Sequence, residues 1–148
     1  MKKKIFGAMI SPIVVLSLVS CGHNTRDWPR IDLGIEPEDV LLYSAHHIGI
    51  ANAYREYTDE TKTTDNPEAI KENLIGVQNM PYKEELMDFD EDRKWGDFLE
   101  VTITTKSEAR VIKYIGYGIT VGAVCFKNDE WHFLPGDFVG FLFDEFVE

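Results

Sequence analysis

The sequence predicts an α+β fold, in which a small antiparallel sheet of about three or four strands packs against helices and a C-terminal amphipathic helix. Apolar residues recur at helical spacing over residues 69–77 and again over 138–147. Residues 98–104 are β-branched and alternate in polarity, which is typical of a half-buried strand. Residues 119–126 and 131–134 flank a polar turn and predict a hairpin. Separate helical and strand segments of this kind favour the α+β class.

The first element expected after the polar amino-terminal region is a helix over residues 38–57. Pro37 suits a first helical turn, and Glu38 and Asp39 would lie near the positive end of the helix dipole. However, the apolar residues of this stretch fall on several sides of a helical wheel, and Gly49 lies in its middle. Either the helix is buried on several sides or the element is not a helix.

The second helix has clearer boundaries. Asn66 is a suitable cap, Pro67 suits the first helical position, and the apolar spacing continues to about Gln78 before Pro81 ends the element. The strongly charged stretch 82–97 then predicts a short helical turn followed by a surface loop.

Two further helices are expected near the carboxyl end. Thr105 and Glu108 have the spacing of a capping box, which predicts a short helix over residues 109–115. From Asp137 as a cap, the apolar residues of 138–147 cover about half of a helical wheel. Phe141 is the exception, because it falls among the acidic residues. Phe141 either packs against a neighbouring loop or forms an exposed aromatic contact for a partner, since aromatic residues are enriched at binding hot spots.

The amino terminus has the layout of a secretory signal peptide. Three lysines at 2–4 precede an apolar run from Ile5 to Val19, and a small residue stands directly before Cys21. Residues 18–21 resemble the lipobox of bacterial lipoprotein precursors. The resemblance implies cleavage before Cys21, whose sulfur would carry a diacylglycerol and whose amine would carry an acyl chain. A transmembrane helix is disfavoured, because the run is shorter than about 18 apolar residues and is interrupted by Pro12. The remaining alternative is an exported protein with an incidental cysteine.

This resemblance gives a division of the chain and a location. Residues 1–20 are the expected signal peptide, 21–36 a lipidated tether and 37–148 a single globular domain. Two acyl signals are enough for stable anchoring, so Cys21 would hold the protein to a membrane. Gly22 follows the cysteine where an aspartate would retain such lipoproteins in the inner membrane. The resemblance therefore favours the outer membrane in a Gram-negative host.

The charge of the chain restricts its partners. The formal net charge is −11, and removal of the three amino-terminal lysines makes it −14. Nucleic acids and anionic lipid headgroups need a basic surface, so neither is an expected ligand. A basic envelope protein would be compatible, although acidity also simply favours solubility. Apart from Cys21 the chain contains only Cys125, which is expected to be a small buried residue.

No cofactor or metal site is indicated by the histidines. His46 and His47 are adjacent and have no acidic residue, histidine or cysteine three or four positions away, whereas zinc needs at least three converging ligands. His132 lies between two aromatic residues in a predicted strand, and we expect it on an exposed face.

The spacing of Asp88, Asp90 and Asp92 matches the opening of an EF-hand calcium loop. Arg93 and Leu99 stand where that loop requires glycine and glutamate. A solvated charged loop is therefore predicted in place of a calcium site.

Two classes of function remain. The first is a membrane-anchored binding or structural module, including an inhibitor or immunity protein against a basic cell-wall hydrolase. It rests on the anchor, the charge and the lack of a nucleophile motif. The alternative is an envelope hydrolase that uses paired carboxylates drawn from Glu84, Glu85, Asp88 and Asp90. Two converging carboxylates in a cleft would favour the enzyme, whereas an apolar patch around Phe141 rimmed with acids would favour the binding module.

Overall fold

The computed structural model of the chain describes residues 25–50, 57–88, 97–117, 121–135 and 139–148. Its centre is a six-stranded antiparallel sheet with the strand order β2-β1-β3-β4-β5-β6. The strands are β1 (Val40–Ile50), β2 (Tyr57–Thr64), β3 (Asp97–Thr105), β4 (Ala109–Tyr117), β5 (Val121–Lys127) and β6 (Glu130–Leu134). The helices are α1 (Pro67–Gln78) and the short α2 (Val139–Asp144), and a 3-10 turn covers Pro37–Asp39. The expected α+β fold with three or four strands is therefore wrong, because the described chain is mostly β.

The largest error concerns residues 38–57, where a helix was expected. The helix start signal forms only the 3-10 turn, and the chain then enters β1, which pairs with β2 on one side and β3 on the other. Tyr43, Ala45 and His47 alternate into the core, whereas their neighbours point to the other face of the sheet. Apolar residues on all sides of a helical wheel are thus explained by a strand with period two.

The helix expected over 109–115 is also wrong, although the local contact that predicted it is present. The Thr105 hydroxyl accepts a hydrogen bond from the Glu108 amide (3.1 Å), as in a capping box. The Thr105 amide donates to the Glu108 carbonyl (2.8 Å), which closes a hairpin turn. The chain then continues as β4, paired with β3 over eight residues from Ala109 to Gly116. A capping box and a tight turn share the same side-chain hydrogen bond, so the motif does not separate them.

Three other local predictions are confirmed, whereas the short helical turn expected after Pro81 is wrong, because residues 82–88 form an irregular extended segment along β6. Asn66 caps α1 by accepting from the amides of Glu68 and Ala69, and Pro67 occupies the first turn. The alternating stretch forms β3, with every second residue buried from Leu99 to Ile103. The β5–β6 hairpin turns at Asn128 and Asp129, which both have φ of 56°, the conformation that a two-residue hairpin turn requires.

The carboxyl-terminal helix is shorter than its periodicity suggests. Helix α2 has six residues, and its Leu142 and Phe143 are buried. The expected cap Asp137 lies outside the described residues. Phe146, beyond the helix, still packs against the core and lies 5.8 Å from the ring of Tyr43.

The main hydrophobic core lies on one face of the sheet, which we call the core face. Helix α1, helix α2 and an extended segment beginning at Ile31 cover it. A second, smaller cluster lies on the other face around Ile115, Ala123, Cys125 and Trp131, with Met87 packed against it. Cys125 is 7% exposed, which confirms the expectation of a buried thiol. Among the described residues, none of the helices has the length and apolar character needed to span a bilayer.

The two edges of the sheet differ. Along β6, the amides of Lys83 and Met87 donate to the carbonyls of Phe133 (3.0 Å) and Trp131 (2.8 Å), so the segment 83–87 covers this edge. Strand β2 forms the opposite edge. Within the described part of the chain, no backbone hydrogen bond reaches β2 from outside the sheet.

Candidate functional site

The first candidate is an extended segment that we call the acidic strap, residues 31–39. Ile31, Leu33 and Ile35 are buried at 1%, 5% and 8% exposure, and the residues between them are exposed. This alternation secures the strap to the core and directs its carboxylates outward. The four exposed acids are Asp32, Glu36, Glu38 and Asp39.

Backbone and side-chain hydrogen bonds hold the strap in place. The Ile31 amide donates to the Met80 carbonyl (3.2 Å), and the Gln78 side chain donates to the Ile35 carbonyl (3.3 Å). Gly34 has φ of 61°, and its amide donates to the Asp32 carboxylate (2.9 Å). The strap therefore presents its acids from a fixed backbone beside α1.

The strap itself contains no lysine or arginine, and exposed apolar residues follow it in the chain and occur on α1. No lysine or arginine occurs between Arg30 and Arg55. Leu41 lies two residues after the strap and is 50% exposed, and Ile75 on α1 is 46% exposed. An acidic surface with apolar contacts suits a basic protein better than an anionic ligand.

The two adjacent histidines point to opposite faces of the sheet because they lie in a strand. His46 Nε2 donates to Asp59 Oδ1 at 2.7 Å, and both side chains are on the open face opposite the core face. The register places Glu100 opposite His46 in β3. Such an exposed pair contributes little to stability.

His47 points into the core. Its ring is 6% exposed and lies 5.0 Å from the Phe143 ring at 35°. The Thr58 hydroxyl donates to the Gly49 carbonyl (3.3 Å) and lies 3.1 Å from His47 Nδ1. Within the described residues His47 Nε2 is buried without a hydrogen-bond partner, and it lies 3.7 Å from Asp97 Oδ1. The imidazole is held as part of the core instead of being presented to a substrate.

Gly49 allows Asp97 to lie close to this histidine. A Cβ on Gly49 would overlap Asp97 Oδ1 and would lie 2.9 Å from the Asp97 Cα. The close approach of β1 and β3 at this point therefore requires glycine.

The position of His132 corrects an expectation. His132 was expected on an exposed face but is 8% exposed. Its Nδ1 donates to the Lys83 carbonyl (3.0 Å), and its ring lies 5.2 Å from Tyr82 and 5.5 Å from Phe126. The segment that covers the β6 edge buries it, and alternation within the strand could not reveal that cover.

The described carboxylates of the hydrolase hypothesis lie on the exposed surface. Glu84, Glu85 and Asp88 are exposed, and Asp90 lies outside the described residues. A surface depression of about 210 Å³ is lined by one of these acids, Glu85, together with Lys83, Leu86, Met87 and Phe133. The nitrogen of Lys83 lies 5.1 Å from the Phe133 ring, which gives this depression an aromatic and cationic wall.

Other predicted site residues lie outside the part of the chain that the structure describes. Cys21 and Asp92 are in segments that it does not describe. Phe141 is in α2, but its side chain is not described. Within the described residues, no group of three or more histidine, cysteine or acidic side chains is arranged to hold a metal ion.

The acidic strap was missed at the level of sequence. Residues 31–36 read Ile-Asp-Leu-Gly-Ile-Glu, an alternation with period two, but they were included in the predicted tether. That alternation was the available signal, since a half-buried extended segment shows it whether or not it pairs in a sheet.

Comparisons with known proteins assign the chain to no family. No protein-family model matches the chain, and neither the curated proteins nor the solved structures contain a significant match.

Proposed function

We propose that this protein is a lipid-anchored module of the bacterial envelope that binds a basic protein through its acidic strap. The observation that carries the proposal is the exposure of four carboxylates within eight residues, on a segment whose alternate aliphatic residues are fixed in the core. A fixed array of like charges favours a partner of opposite charge and accelerates its association.

The anchor rests on the lipobox resemblance of residues 18–21. Asp32 is 11 residues from Cys21, and an extended chain reaches at most about 3.5 Å per residue. The strap would then lie within about 40 Å of the lipid surface. A partner of the same envelope layer would be within reach, and Gly22 favours the outer membrane.

The anchor is tested by the intact mass of protein extracted from membranes washed with high salt. A chain beginning at Cys21 and carrying the mass of a diacylglycerol and an acyl chain is expected, and Cys21→Ala should abolish both the modification and the membrane retention. An unmodified chain released by salt would contradict the anchor.

Binding is tested with two variants that lose the same charge. The strap variant is Glu36→Gln/Glu38→Gln/Asp39→Asn, and the matched control replaces three exposed acids elsewhere, Glu84→Gln/Glu85→Gln/Asp88→Asn. Each variant is used to capture proteins from envelope extracts at rising salt concentration.

The wild type and the control variant should retain the same basic protein, and the strap variant should lose it. Retention should weaken as the Debye length falls below about 8 Å. Equal capture by the strap variant, or loss with the control variant alone, would contradict the assignment to the strap.

A further inference from the structure

The side chains on the open edge of the sheet are complementary in charge to the same edge of a second copy. Strand β2 is paired with β1 along eight residues, from Tyr57 to Thr64. Its other side is an edge with unused hydrogen-bonding groups within the described residues, and such an edge is a template for another strand.

The register between β1 and β2 fixes the direction of each β2 side chain. Glu60 lies opposite His47, and Lys62 lies opposite Ala45. Because His47 and Ala45 are buried in the core, Glu60 and Lys62 are on the core face of the sheet. Thr61 lies opposite His46 and is on the open face.

We propose that two copies of this chain pair through β2, antiparallel and edge to edge, to form a continuous twelve-stranded sheet. A two-fold axis perpendicular to the sheet would pass between Thr61 of one copy and Thr61 of the other. Glu60 of each copy is then opposite Lys62 of the other, and the interface contains this ion pair twice. A symmetric interface of this kind brings the same patch of both subunits together.

Charge selects this register over its neighbours. A two-fold axis perpendicular to the sheet leaves the core faces of both copies on the same side. Because side chains on one face are two residues apart, the numbers of two paired residues must differ by an even number. Moving the axis to Glu60 places the two Glu60 carboxylates opposite each other, and moving it to Lys62 places the two ammonium groups opposite each other. Like charges directly opposite are destabilising, so of these registers only the axis at Thr61 pairs opposite charges.

The structure holds Lys62 beside this edge. Its nitrogen donates to the Phe143 carbonyl (2.8 Å) and lies 4.2 Å from the centre of the Phe143 ring. An ammonium group has three protons, so these contacts leave capacity for a carboxylate from a second copy. The competing explanation is that Asp59, Glu60 and Lys62 protect the edge from any pairing. Protection of the edge requires charged residues there. It does not require Glu60 and Lys62 to be placed so that each faces the opposite charge of a second copy.

A cysteine at the proposed axis distinguishes the two explanations in the full chain, within membranes of the expressing cells. Directly opposite residues have Cα atoms about 4.5–5.5 Å apart, which suits a disulfide. Thr61→Cys should therefore form an intermolecular disulfide under a mild thiol oxidant. Thr63→Cys is the matched control, because its two copies would be about 13 Å apart. The wild type, with Cys21 and buried Cys125, measures the background.

The expected result is about tenfold more disulfide-linked dimer with Thr61→Cys than with Thr63→Cys, as the distances require. Adding Glu60→Lys or Lys62→Glu to Thr61→Cys should reduce the yield, and adding both should restore it. Equal yields at positions 61 and 63, a disulfide to a different protein, or no recovery in the double charge swap would overturn the proposal. The inference does not rest on the acidic strap or on its partner, and variants of the strap should leave the dimer intact.

Discussion

At the scale of single residues, the most informative side chains are polar groups buried without a partner. The Tyr114 hydroxyl is fully buried and has no hydrogen-bond partner within the described residues. Burial raises the pKa of the Tyr114 phenol well above its usual value, and the nearby Tyr43 raises it further. Burial likewise raises the pKa of Tyr43. Both phenols therefore favour the neutral form in the folded protein.

This arrangement predicts a loss of stability at alkaline pH. The unfolded tyrosines ionise near pH 10, whereas the folded ones stay protonated, so the folded state holds more protons above that pH. The contribution of these two tyrosines to the free energy of unfolding should be constant up to about pH 10. Above that pH it should fall by about 1.4 kcal/mol per pH unit for each buried tyrosine.

Tyr114→Phe tests this prediction in urea titrations at neutral and alkaline pH. The variant should be about 1 kcal/mol more stable at pH 7, because an unsatisfied buried hydroxyl is removed. It should also lose stability less steeply above pH 10 than the wild type. An unchanged slope would show that Tyr114 ionises equally in the folded and unfolded states.

At the scale of elements, the contact between β1 and β3 depends on glycine. Gly49→Ala should lower the free energy of unfolding by about 1–3 kcal/mol, because the added Cβ meets the Asp97 backbone at 2.9 Å. The measurement is equilibrium unfolding in urea.

Gly76→Ala in α1 is the matched control for that substitution. Its Cβ would meet only the Leu142 side chain, at 3.6 Å, which is ordinary contact. Because alanine favours a helix more than glycine does, the free energy of unfolding of this variant should rise by up to about 1 kcal/mol. Equal effects of the two substitutions would contradict the close approach of the strands.

The same elements show what the sequence could predict. Helix α1 was predictable because its cap, its first-turn proline and its periodicity agree. The β5–β6 hairpin was predictable because two apolar runs flank a turn. Strand β1 was not, since its start resembles a helix start and its outward-facing residues include Leu42 and Ile48. The information that decides β1 is its pairing with β2 and β3, which is tertiary.

The candidate site was predictable only in its chemistry. The acidity of the chain is compatible with the basic partner that we propose, but nothing local showed that residues 31–39 are held against the core. That depends on contacts with residues 78–82, more than 40 positions along the chain. Likewise, the placement of Glu60 and Lys62 on the same face of β2 becomes visible only when pairing with β1 fixes which face each residue occupies.

At the scale of the whole molecule, the acidic strap belongs to the folded core. Besides Ile31 at its start, the backbone at Pro29 accepts from the Tyr82 amide (3.1 Å), and Arg30 forms a bridge with Pro81. The amino-terminal segment therefore links the sheet to the end of α1 before the first strand begins.

Two truncations test this arrangement, with cooperative urea unfolding as the measurement. A chain of residues 25–148 should keep the stability of the full protein, since the core contacts begin at Ile31. A chain of residues 36–148 loses three buried aliphatic side chains, worth together about 5–9 kcal/mol. That is comparable to the whole stability of a typical domain, about 5–15 kcal/mol, so this chain should not fold. The intermediate case is Ile31→Ala. Ile31 is 1% exposed, so this substitution should lower the free energy of unfolding by about 2–5 kcal/mol. Cooperative unfolding of 36–148 at the midpoint of the longer chain would show that the strap is not part of the core.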